Sequence, residues 1–483
     1  MPRTKRICLI CLTLLGSKLS KGTLLSPNAG LSNYVLVYRM LATLLKLEMT
    51  KGSNLSYISV KKANDLIERF ILSNRMLHYE TIGVRHSYAR VLAEDVTSTF
   101  DIPAFNSSHM DGYALNARDI TQASNQTPAV LRLIEGQIKP RSSPPLRSFL
   151  RKQQALRIMT GGFLPHGADS VVPFEEAHAD DKESKIYVMR SLPAGSFVYP
   201  RGRDIRKGQE VMKRGRILRP QDIGLLQLLH VNKVKVFKRP RVAIFSTGSE
   251  LTSEERYAKA GKVLDTHSGI ISKLVEELGG LSFKMGTIPD EIPKIRNSID
   301  DAIAQSMDLI ITLGGSSIGT YDLVETAINS MGKPTIFFHG VKLDRGRVTG
   351  VAVIKRKPII MMPGPIQGAM NAFIVFAYPL IKLLSGHISA KPLKVDARMV
   401  KEWNARKKFP NFMKIIYVRL RTNKYGEYEA DTIAGETESL TTLTMSNGYV
   451  LVNERTTLIK AGSKVKVNLL PGLSYINDQI ANP

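Results

Sequence analysis

The sequence predicts a multidomain α/β plus β protein: an open α/β domain, a β-rich module and a C-terminal β-barrel. Three observations predict it. At 483 residues the chain exceeds what one core ordinarily serves, so roughly two to four domains are expected. Strand and helix patterns alternate from 241 to 386, as in parallel strands joined by helices. The last stretch offers strands without intervening helices, at 412–421, 427–433, 449–453 and 463–470.

Composition narrows the class. A formal net charge of +26 favours oxyanion or phosphate-bearing partners, or nonspecific adhesion to nucleic acid. The body of the chain has no dense Lys/Arg block. The basic junction of Lys391, Lys394, Arg398, Lys401, Arg406, Lys407 and Lys408 offers only Trp403 and Phe409 for stacking, so a solvated face is expected there, with no specific nucleic acid. Both cysteines, Cys8 and Cys11, lie near the start, so the body holds no disulfide, thiolate zinc site or cysteine nucleophile. That fits a reducing compartment. Arg3, Lys5 and Arg6 before an apolar run imitate a signal peptide, yet no small-x-small cleavage site follows. Met49 reads as the true start, with residues 1–48 a mis-assigned start or a disordered tail. No run after the first fifty residues approaches membrane-spanning length, so no membrane partner is expected.

In chain order, 59–73 carries apolar residues at helical spacing, with Ser59 as N-cap. Asp111-Gly112, inside DIPAFNSSHMDGYAL, reads as a turn around one acid. Gly161-Gly162 after Thr160 reads as a two-glycine hairpin; alternatively, Thr160 donates to a phosphate or pterin. Asp204 sits among Arg201, Arg203 and Arg206, where solvated ion pairs are the plain explanation. Residues 221–234 read as a helix followed by a strand. Next, 242–245 is a strand running into STGSEL (246–251), which holds Thr247, Gly248 and Glu250. Asp265 and Thr266 open a helix ending at Gly279, and a strand then leads to Asp290 and Glu291.

The densest signal is LIITLGGSSIGTYD, 309–322. An apolar strand runs into Gly314, Gly315, Ser316, Ser317 and Gly319, and a helix from Asp322 to Ser330 follows. Such a turn gathers backbone N–H groups around an anion, and glycine lets phosphate approach the backbone. A plain βα turn that binds nothing is the other reading. Open parallel sheets bind ligands beyond the strands' C-terminal ends. Glu250, Asp265, Asp290, Asp322 and the glycine loop all fall just past predicted strand ends.

Taken together, SSHMDGYAL, IMTGGFLPHGADSVVP, GRDIRKG, FSTGSEL and LGGSSIGTYD, in that order, resemble molybdopterin molybdenumtransferases of the MoeA type, which include the C-terminal domain of gephyrin. PGPIQGA, with Pro363 and Gly364, and TESLTTLTMSNGYVLV match more loosely. The resemblance spans 57–471. It implies a doubtful extension 1–55, a discontinuous linker domain (56–98 and 195–238) and an inserted β-rich domain (99–194). A molybdopterin-binding α/β domain (239–388) and a C-terminal barrel domain (389–483) complete the chain. It also implies a cytoplasmic homodimer whose cleft joins the α/β domain of one chain to the β-rich domain of its partner. The implied reaction takes adenylylated molybdopterin and molybdate, or tungstate, to molybdenum cofactor and AMP with Mg²⁺. Glu250, Asp290 and Asp322 would carry the metal. Asp111, Thr160 and Asp204 match positions for substrate, molybdate or cleft acids. Molybdopterin adenylyltransferase and molybdoenzyme apoproteins are the implied partners.

The chain departs from the family pattern at three places. Asp265-Thr266-His267 stands where Asp-Ser/Thr-Asn is common, Asp344-Arg345-Gly346-Arg347-Val348 where Lys-Pro-Gly-Lys-Pro is common, and Pro363-Gly364-Pro365-Ile366 where Pro-Gly-Asn-Pro is common. Arg347 keeps a positive charge near an oxyanion with different geometry from lysine. Asp344 would repel molybdate unless Arg345 or Lys342 compensates. A noncatalytic molybdopterin-binding paralogue therefore stands beside the enzyme, with an adenylyltransferase behind both.

Overall fold

The computed structural model describes residues 57–74, 76–140, 149–255, 261–315, 322–332, 335–387, 393–405 and 409–470. The N-terminal extension, Ser316, Ser317, Gly319, Lys391 and 406–408 lie outside them.

Helix α1 (Val60–Ser73) begins where Ser59 accepts a hydrogen bond from the Lys62 amide, as its sequence predicts. Strand β1 is Tyr79–Gly83. A six-stranded sheet follows, built from β2 (Gly112–Leu115), β3 (Ala129–Ile138), β4 (Gln154–Ile158), β5 (Ser170–Pro173), β6 (Ala177–Asp180) and β7 (Lys185–Val188). Its order is β5-β2-β4-β3-β7-β6. Gly161-Gly162 join no hairpin, because the strands on either side of them, β4 and β5, do not pair: β2 lies between them. The pair closes a turn instead, in which the Gly162 amide donates to Met159 O. Helix α2 (Pro220–Leu228) leads to β8 (Lys233–Phe237), which pairs antiparallel with β1.

The α/β sheet is assembled from β9 (Arg241–Thr247), α3 (His267–Glu277), β10 (Leu281–Ile288), α4 (Ile292–Ala304), β11 (Leu309–Leu313), α5 (Leu323–Asn329), β12 (Thr335–His339), β13 (Gly350–Ile354) and β14 (Lys357–Met362). Strand order is β10-β9-β11-β14-β13-β12. The sheet is parallel from β10 to β14, as expected, but β13 and β12 are antiparallel. Apolarity marks a buried strand without marking its direction, so the sequence did not reveal that edge. Alternation across the pleat divides the core in two. Val242, Ile244, Leu309 and Ile311 pack on α1, α3 and the helices after β14. Ala243, Phe245 and Ile310 pack on α4 and α5.

After β14 come α6 (Ile366–Ala372), a wider turn through Ala377, and α7 (Tyr378–Leu384). Together they form a 19-residue apolar run, Ile366–Leu384, long enough by length and composition to cross a membrane. This corrects the expectation that no later segment reaches that length. Here 78% of it is buried against the sheet. The chain then closes a five-stranded barrel of β15 (Lys394–Met399), β16 (Lys414–Thr422), β17 (Tyr428–Thr432), β18 (Gly448–Val452) and β19 (Lys464–Leu469), ordered β15-β17-β16-β18-β19. The four strands read from sequence are present. The fifth, β15, carries Lys394, Asp396 and Arg398 at exposed positions, so its charge hid it.

Candidate active site at the ends of the parallel strands

Parallel pairing sets the C-terminal ends of β9, β11 and β14 side by side, at Thr247, Leu313 and Met362. A cavity of 530 Å³ opens beyond them. Gly314 and Gly315 form its floor with left-handed backbone, at φ +84° and +60°. A Cβ on Gly314 would lie 2.7 Å from Thr247 O, and one on Gly315 only 2.4 Å from Thr247 Oγ1. Both positions therefore require glycine, for conformation and for space. Thr247 lines the cavity, and its buried hydroxyl has no hydrogen-bond partner among the described residues. Buried hydroxyls are seldom left so. Gly248 is buried just beyond, and its missing Cβ leaves room for the Glu250 carboxylate.

Glu250, Asp265, Asp290 and Glu438 bring carboxylates to the wall. Asp290 accepts from the Ser249 amide at 3.3 Å, while its own amide donates to Ser249 Oγ at 3.2 Å. Asp265 accepts from the Ser268 amide at 3.1 Å and so caps α3. Pro363 is buried, and Gly364 lines the cavity with its carbonyl accepting from His267 Nδ1 at 3.0 Å.

Asp322 is placed differently from the other acids. It is buried, caps α5 by accepting from the Glu325 amide at 2.7 Å, and lies 3.1 Å from His339 Nε2. His339 Nδ1 bonds Glu325 in turn. Burial by itself would lower the His339 pKa, but hydrogen bonds to Asp322 and Glu325 outweigh it and push the value up to about 9. Glu250, Asp290 and Asp322 do not come together as a set within 4.8 Å. Among the described residues the grouping that close is Asp322, Glu325 and His339. Of the three acids expected to carry metal, Glu250 and Asp290 line the cavity and Asp322 does not. An acid ahead of a helix carries the same sequence signal whether it caps or binds.

Two further expectations shift. Arg347 lays its guanidinium 5.1 Å over the Phe409 ring, and Arg345, in left-handed backbone, faces a second cavity of 190 Å³ instead. Asp204 makes no ion pair among the described residues, because Arg201 reaches Asp101 at 2.6 Å. Asp111 and Thr160, 49 residues apart, do meet: Thr160 donates to Asp111 Oδ1 from its amide at 2.6 Å and its hydroxyl at 2.7 Å. These two donors, the amide more than the hydroxyl, hold the Asp111 carboxyl below its ordinary pKa. Neither residue lines the cavity.

Comparison with known proteins agrees with this geometry. Three family descriptions match consecutive stretches: MoeA N-terminal region (domain I and II) over 58–229, probable molybdopterin binding domain over 243–383, and MoeA C-terminal region (domain IV) over 396–470. The chain belongs to the MoeA family. A molybdopterin molybdenumtransferase of Staphylococcus epidermidis is 27% identical over 427 residues, covering 88% of this chain and 98% of its own length. Its namesake from Staphylococcus aureus (strain COL) is 28% identical over 361 residues, covering 74% and 83%. The solved molybdopterin biosynthesis MoeA protein from Pyrococcus horikosii superposes with a TM-score of 0.75 at 27% identity, covering 86% of this chain and 99% of that one.

Within this MoeA-family chain, sequence reasoning missed Glu438 and His339 altogether. It met His267 only as a departure from the family pattern. Glu438 reaches the cavity because buried Gln367, at the start of α6, donates its side-chain amide to Glu436 O and its backbone amide to Thr437 O. No local pattern announces such a loop. For the Asp111–Thr160 pair, Thr160→Val should raise the Asp111 pKa part of the way to its ordinary value, since the amide donor persists. An NMR titration of the Asp111 carboxyl carbon checks this.

Proposed function

We propose that this MoeA-family protein inserts molybdate or tungstate into adenylylated molybdopterin and releases AMP, acting in the cytoplasm as a homodimer. One observation carries the reading: a two-glycine cradle and an unpartnered Thr247 hydroxyl meet at the ends of the parallel strands, where this fold class receives phosphate. Four carboxylates and no Lys or Arg line that cavity among the described residues. Such a wall repels a bare phosphoanhydride, so the donor set fits a phosphate arriving with a hard cation. Glu250 and Asp290 would hold that Mg²⁺, whose charge would offset that of the opening anhydride. Thr247 and the Gly315 amide orient the phosphate, while the Gly314 amide ties the turn to Met362 O at 3.1 Å. The Asp111–Thr160 pair, which does not line the cavity within one chain, supports a cleft completed by a partner subunit.

A molybdopterin-binding protein that inserts no metal is the second reading, favoured by Arg347 turning onto Phe409. One assay separates them: purified protein, adenylylated molybdopterin, Mg²⁺ and either oxyanion, followed for AMP. Oxyanion-stimulated release supports the enzyme, with Asp290→Asn lowering the rate about 10–100-fold as loss of a group that holds or orients a metal does. Tight binding without release supports the binding protein. Asp111→Asn releasing AMP at the normal rate would remove that residue from the mechanism.

A further inference from the structure

His267 is the one side chain lining the main cavity, among the described residues, that can carry positive charge. Its Nδ1 faces Gly364 O, and a carbonyl only accepts, so Nδ1 carries the ring hydrogen. That fixes the tautomer and leaves Nε2, which has no partner among the described residues, for whatever enters the cavity. The other titratable groups lining the same cavity are the carboxylates of Glu250, Asp265, Asp290 and Glu438. The neighbouring cation, Lys262, is drawn off to Ser249 O at 2.8 Å. A phosphate entering here meets the Gly315 amide, the Thr247 hydroxyl and His267, against four acids.

We propose that His267 is a binding residue whose Nε2 contacts a phosphate oxygen of the ligand, in monoester or anhydride. The inference rests on the cavity being the phosphate site argued above. Gly364 O is the positioning group, so two places where this chain departs from its family pattern, 265–267 and 363–366, act as one unit. With the ring hydrogen on Nδ1, neutral Nε2 only accepts, so it donates to a phosphate oxygen in the protonated ring, which imidazole ordinarily forms between about pH 5 and 8, and that bond is charge-assisted.

The test measures AMP and inorganic pyrophosphate binding by calorimetry, with Mg²⁺ present throughout, to the wild type, H267N and H267Q at about pH 6 and about pH 8, bracketing the ordinary imidazole range. The phosphate's own ionisation near pH 6 is common to all three proteins and cancels in the affinity ratio. The wild type should bind about tenfold tighter than either variant at the lower pH, with the ratio falling towards one at the higher. An effect with AMP places the contact on a monoester, and an effect with pyrophosphate alone places it on an anhydride. Intact wild-type binding with a flat ratio near one overturns the role of His267 and leaves the phosphate site standing. No binding of either probe to the wild type overturns both. A readout free of substitution is the ¹⁵N resonance of Nε2, which should move on AMP binding while Nδ1 holds; an unmoved Nε2 overturns the contact.

Discussion

Gly315→Ala is expected to destabilise the protein by about 2–4 kcal/mol and to weaken phosphate binding at least tenfold. The left-handed backbone at φ +60° costs an L-residue about 1–2 kcal/mol. The remainder comes from contact, since the new Cβ would sit 2.4 Å from Thr247 Oγ1 and 2.9 Å from Val324 Cγ2. Neither neighbour is a free chain end: Thr247 closes a central strand, and Val324 is buried in α5. The turn must move, carrying its amides away from the phosphate. Gly426→Ala is the control, because Gly426 has φ +80° with nothing within 4 Å of its missing Cβ. It should show the backbone cost alone, about 1–2 kcal/mol, with binding unchanged. Equal losses in the two variants, measured by denaturant unfolding and AMP calorimetry, would remove the close-packing argument.

His339→Gln should abolish a pH-dependent part of stability worth about 3 kcal/mol. His339 is 9% exposed, and its folded pKa of about 9 stands above the ordinary 6.5. For a raised value the stabilisation is fully present below the unfolded pKa and disappears as pH climbs through the folded one. The window is therefore about pH 6.5 to 9. Across it the stability difference between wild type and His339→Gln should shrink by about that 3 kcal/mol, in denaturant unfolding with chelator present. The same window tests Asp322. If Asp322 serves as helix cap and imidazolium partner, the chelator leaves the profile unchanged; a profile that moves with chelator makes Asp322 a metal ligand after all.

These two sites also show what a sequence can disclose. The strand of β11 was legible because all five of its residues are buried and all but Thr312 are apolar. The glycines after it were legible because few other residues tolerate that turn. Direction in the sheet was not, since antiparallel β13 is as uniformly buried as β11 in the parallel part of the sheet. Charged β15 resembled a linker because barrel strands alternate faces and its outer face is basic. Asp111 and Thr160 meet across 49 residues, a distance no local pattern spans, and only the family resemblance paired them. Asp322 was legible as an important acid, but its task depends on His339, brought up by β12.

The central claim is that phosphate sits between the ends of β9, β11 and β14. A crystal structure of the protein with AMP tests it most directly. The account predicts phosphate density within hydrogen-bonding reach of the Gly315 amide, Thr247 Oγ1 and His267 Nε2, the Gly314 amide being held by Met362 O. Phosphate held instead in the second cavity, beside Arg345 and Lys414, would contradict it.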